Sequence, residues 1–116
     1  MSHLSILPTV LDDAETLIAS LRTLGLQPSA GGVVAGFGGE QHAVEVRVQL
    51  ASGHVLGWQR QRDGALALVA DLQRIARSTA LQRLLGRVTR SYAAHAALRQ
   101  AAQDPALSSA EVWLNA

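Results

Sequence analysis

The sequence has no cysteine, no lysine, few aromatic residues and no long apolar run. Without cysteine there are no disulfides, thiolate nucleophiles, zinc–thiolate sites or iron–sulfur ligands, which suits a reducing compartment. Without lysine, Schiff-base chemistry and the phosphate-binding lysine of a P-loop are excluded. The only aromatics are Phe37, Trp58, Tyr92 and Trp113, so the interior must be built from Leu, Val and Ala. No segment approaches the ~18 consecutive apolar residues of a membrane span, and Met1 to Pro8 lack the basic region of a signal peptide. These absences lead to the expectation of a soluble, cytoplasmic protein with no membrane association.

What is present fits one domain of 116 residues, 48% of them apolar, long enough to bury roughly two-thirds of its unfolded surface. Ser2 to Thr9 reads as a strand closed by Pro8, because proline cannot continue a ladder. Asp12, with Glu15 three residues on, is placed to cap a helix along which Leu17, Ile18, Leu21 and Leu24 recur at helical spacing. Gly25 stops it. Leu26 to Gly39 reads as a glycine-rich loop with a short strand near Val33 to Gly36. His42, Val44, Val46, Val48 and Leu50 alternate with Ala43, Glu45, Arg47 and Gln49, the period of a single half-buried strand.

Turns at Ser52-Gly53 and Asp63-Gly64 then separate strands over Val55 to Arg60 and Ala65 to Ala70, completing an antiparallel meander. Asp71 caps a short helical turn through Ile75, and Ser78 or Thr79 caps a long helix. Leu81, Leu84, Leu85, Val88, Tyr92 and His95 share one face of that helix, which ends near Gln103 at Asp104-Pro105. Glu111 to Asn115 reads as a last, edge strand. The fold class expected is α+β, an antiparallel sheet of four to five strands with two amphipathic helices on one face. The order is β-α-β-β-β-α-β, ferredoxin-like or a similar two-layer sandwich.

Several strings, in consistent order along nearly the whole chain, resemble the plastid, cyanobacterial and bacterial family called hypothetical chloroplast reading frame thirty-five. They are Met1-Ser2-His3-Leu4-Ser5, Leu24-Gly25, Val34-Ala35-Gly36-Phe37-Gly38-Gly39, Leu56-Gly57-Trp58, Leu68-Val69-Ala70-Asp71-Leu72 and Val88-Thr89-Arg90-Ser91-Tyr92-Ala93. The resemblance implies no established activity, only membership of a complex beside ATPase-type neighbours. Family members continue into a longer C-terminal hairpin, from which this chain departs. Within the matching strings, His3, Asp71 and Tyr92 are candidate functional positions.

Catalytic motifs are lacking. The glycines at 31, 32, 36, 38 and 39 precede a strand and not a helix, so turn geometry explains them better than a phosphate cradle. His3, His42, His54 and His95 show no metal-ligand spacing, although His42 and His54 can meet across a hairpin with His3 alongside. A Ser-His-Asp set from Ser2 or Ser5, His3 and Asp71 has nothing to fix its geometry. No catalytic residue, metal or cofactor is expected.

Charge is the stronger signal. Residues 60–99 hold eight arginines against two aspartates, a net of +6, while residues 1–59 carry −3 and the segment after 99 carries −2. Arg83, Arg87 and Arg90 form a stripe at i, i+4 and i+7, with Arg74 and Arg77 just before it. The expectation is a non-catalytic accessory or adaptor subunit that meets a protein partner, an ATPase or another copy of itself, through these five arginines or through an open sheet edge. The alternative is a nucleic-acid-binding protein using the same stripe.

Overall fold

The computed structural model describes residues 4–104, with Phe37 described by its backbone alone. Strand β1 (Ser5–Leu7) leads into helix α1 (Ala14–Thr23), followed by β2 (Ser29–Ala30), β3 (Val33–Ala35), β4 (Gln41–Ala43), β5 (Val46–Gln49), β6 (Val55–Arg60) and β7 (Leu66–Ala70). Helices α2 (Leu72–Ala76) and α3 (Thr79–Gln103) complete the described chain. The main sheet has the order β1-β7-β6-β5-β2 and is antiparallel throughout; β3 and β4 form a separate two-stranded hairpin. The expected strand at Glu111 to Asn115 lies outside the described residues. Among those residues no helix is long and apolar enough to cross a membrane.

Strand periodicity sorts the sheet into two faces. Val46, Val48, Leu56, Trp58, Leu66, Leu68 and Ala70 point to one side, where they form the main core with Leu17 and Leu21 of α1 and Leu81, Val88 and Tyr92 of α3. Both helices therefore cover the same face, giving the expected α+β sandwich. The opposite face holds Val69, which joins Val34 and Val44 in a smaller cluster. Gly57 of β6 makes that second contact close: a Cβ there would lie 2.5 Å from Val34 Cγ2 and 2.7 Å from Val44 Cγ1.

Two sequence expectations are corrected. The alternating segment from His42 to Leu50 is two strands, because the chain bends at Val44 and Glu45 to place Val44 over the back of the sheet and Val46 in the main core. At the bend, Val44 N donates to Gly32 O at 3.0 Å, Glu45 N to Trp58 O at 2.8 Å, and Gly31 N to Glu45 O at 2.6 Å. The N-cap of α1 is Asp13 and not Asp12: Asp13 Oδ2 accepts from Thr16 N at 3.0 Å and also from the Thr16 hydroxyl. Asp12 is engaged elsewhere, by Tyr92.

Candidate functional site

Ser78 starts α3, its Oγ accepting from Leu81 N at 3.1 Å. Leu81, Val88 and Tyr92 are then turned into the core, with Leu84 and Leu85 packed at its margin. Helical geometry of 3.6 residues per turn leaves Arg83, Arg87 and Arg90 on the opposite side, and all three are exposed, as are Arg74 and Arg77. Arg83, Arg87, Arg90 and Ala80 line a shallow surface depression of about 380 Å³.

Eight of the ten arginines fall into two groups. Arg60 donates to Glu45 Oε2 at 2.7 Å and to Gly64 O at 2.6 Å, and also reaches Asp12 O. Arg99 on α3 reaches Asp13 Oδ2 at 2.6 Å and Thr16 Oγ1 at 2.7 Å on α1, with Glu15 at 3.7 Å. Arg47 Nε donates to Val33 O at 3.1 Å, tying β5 to β3. These three bind parts of the fold together. Of the other five arginines on α2, α3 and their junction, Arg74 pairs with Asp71 at 3.5 Å. Arg77, Arg83, Arg87 and Arg90 form no ion pair among the described residues.

A second concavity, a cleft of about 210 Å³, lies where β7 meets α2. Its walls include Leu4, Val34, Leu56 and Ile75, and its rim carries His54, Asp71 and Arg74. The cleft gathers pieces of four of the strings singled out in the sequence. Their polar members are occupied structurally: Asp71 Oδ1 caps α2 by accepting from Gln73 N at 3.1 Å and Arg74 N at 3.4 Å, and His54 Nδ1 lies 2.6 Å from Ser52 Oγ.

Tyr92 is buried, and its hydroxyl accepts from the backbone N–H groups of Asp12 and Asp13 while donating to Asp12 Oδ1. It is a clamp between the helices. Burial, first of all, raises its phenol pKa above the ordinary value, and the neighbouring Asp12 carboxylate acts in the same direction. The pKa of Asp13 is lowered, chiefly by the Thr16 hydroxyl, with Arg99 contributing. His95 Nε2 lies 2.9 Å from Thr23 Oγ1, a further α1–α3 contact.

His42 and His54 do not face each other across a hairpin. His42 pairs with Val34 across β3 and β4 and lies 3.6 Å from Glu40, while His54 sits in the turn between β5 and β6 beside Ser52. His3 lies outside the described residues, and among those described no group of three His, Asp or Glu side chains can hold a metal ion. Four of the five loop glycines, Gly31, Gly32, Gly38 and Gly39, have positive φ and shape the turns around β3. Sequence reading overlooked Gly86. It sits inside α3 among the arginines, and a lone glycine in a helical pattern is the signal that marks it.

The chain belongs to the family described as a protein of unknown function (DUF1257), whose model matches residues 20–110. No curated protein and no solved structure matches the chain.

Proposed function

From membership of a family with no assigned activity, we propose that this chain is a non-catalytic accessory subunit that acts by protein–protein contact through the arginine face of α2 and α3. The observation that carries it is the division among the arginines. Arg60 and Arg99, themselves exposed, are paired with carboxylates of the same chain, whereas Arg83, Arg87 and Arg90 stand together on one helix face with no carboxylate beside them among the described residues. Such spacing costs a helix about 0.2–0.5 kcal/mol for each like-charged pair. An acidic partner surface offsets that repulsion and steers the encounter. The resemblance to the plastid reading-frame family supports an ATPase-type partner.

The test is a native complex. Tagged wild-type chain is expected in a defined assembly that Arg83→Glu/Arg87→Glu/Arg90→Glu fails to form, with both chains folding alike by circular dichroism. A monomer indifferent to these substitutions ends the proposal. The same arginine face supports a second reading, nucleic-acid binding, in which affinity falls steeply with salt by counterion release. Against it, Trp58 and Tyr92 are buried and offer no surface for base stacking.

A further inference from the structure

Gly86 is the feature of the arginine face that the fold itself does not explain. It lies inside a helix of 25 residues, where glycine is the least favourable residue apart from proline. It is absent from the positive-φ glycines, so no turn needs it. A Cβ at this position would meet Arg90 Nη1 at 3.3 Å, the far end of a flexible side chain, and nothing else within 4 Å. Gly86 is half-buried, and only that movable guanidinium lies over it.

Helical geometry places Gly86 between two unlike surfaces. Toward one side lie Arg83 and Arg90. Toward the other lie Leu85 and Thr89, which line an apolar notch of about 200 Å³ together with Pro8, Val10 and Leu11. Val10 at its edge is 83% exposed. The missing side chain lets another backbone approach α3 along the seam between the apolar notch and the guanidinium groups.

We infer that this seam is the docking site for an acidic amphipathic helix of a different protein, which crosses α3 at Gly86 with its apolar edge over the notch and its carboxylates over Arg83, Arg87 and Arg90. An amphipathic helix in a groove supplies apolar and charged anchors at i, i+3, i+4 and i+7, a set that includes the i, i+4 and i+7 spacing of Arg83, Arg87 and Arg90. A second copy of this chain is a poorer occupant, because every described carboxylate already has an interaction that holds it. The inference rests on the accessory-subunit reading and adds to it the class of partner and the point of closest approach.

The experiment uses a labelled, alanine-based helical peptide of about 20 residues, with glutamates on one stripe beside leucines on the next, and an isomer with the same residues spread around the helix. Fluorescence anisotropy at low salt is read against wild type, Gly86→Ala, Gly86→Leu and the triple arginine-to-glutamate variant. The patterned peptide is expected to bind wild type about tenfold tighter than its isomer and to lose about tenfold in affinity on Gly86→Leu. Gly86→Ala should weaken binding less, while raising Tm by roughly 4 °C because alanine suits a helix better. Equal binding to wild type and Gly86→Leu, with the arginines still required, overturns the helix-docking inference and leaves the arginine reading standing. Indifference to the arginine substitutions overturns both. Absence of patterned-peptide binding, or preference for single-stranded RNA or for a second copy of the chain, overturns the inference.

Discussion

The hydroxyl of Tyr92 closes a two-way bond with Asp12, donating to its carboxylate at 2.8 Å and accepting from its backbone N–H at 3.2 Å. The same oxygen accepts from Asp13 N at 3.0 Å. One phenol thus holds the start of α1 against the middle of α3, and it explains how two adjacent aspartates come to have different jobs.

Tyr92→Phe removes the oxygen without changing the ring. It leaves two backbone N–H groups and a carboxylate to find water in a partly buried site, so it should destabilise the fold by about 1–3 kcal/mol in urea unfolding. An unchanged urea midpoint would show that the clamp contributes nothing. Tyr92 is the only tyrosine, so its ultraviolet titration is unambiguous and should run above the ordinary value of about 10. Because the folded pKa is the higher one, this contribution is complete below the unfolded pKa and declines as pH rises through the folded one.

Asp13 reports on the acid side. Its pKa is lowered in the fold, first by the Thr16 hydroxyl, so its contribution is present above the unfolded value of about 4 and is lost as pH falls through the depressed folded value. The urea midpoints of wild type and Asp13→Asn should therefore differ near neutral pH and converge below about pH 4. Parallel pH profiles would be the contrary result. The Arg99 contact makes part of the difference sensitive to salt.

Gly57→Ala tests the second layer. The added methyl meets Val34 and Val44 at distances of 2.5 and 2.7 Å, and both are β-branched with little rotamer freedom to yield. Overpacking of this kind should cost about 1–3 kcal/mol and open the β3–β4 hairpin before the main sheet, as read by faster amide exchange at Val34 and His42. Exchange that stays slow there would mean that the hairpin is not seated on Gly57.

Much of this architecture was legible from local pattern. The leucines of α1, the turns at Ser52-Gly53 and Asp63-Gly64, and the caps at Asp71 and Ser78 depend on chemistry within a few residues, and each stands where the pattern puts it. The exposure of Arg83, Arg87 and Arg90 follows from the same logic, since apolar side chains at helical spacing leave the other face to water. Gly86 was visible as a glycine inside a helical pattern among arginines, but the apolar notch beside it depends on where β1 leads into α1, which no local pattern records.

The sequence by itself determined which segments coil, which extend and which charges stay outside, because backbone propensity and apolar periodicity act over one or two turns. Only the tertiary structure decided that Asp13 and not Asp12 caps α1, since both can cap and a hydroxyl 80 residues away claims the first. It also decided that the alternating segment bends at Val44 and Glu45. Alternation assigns side chains to faces, but where a strand leaves one sheet for another depends on a gap in a neighbouring strand, here the missing side chain of Gly57.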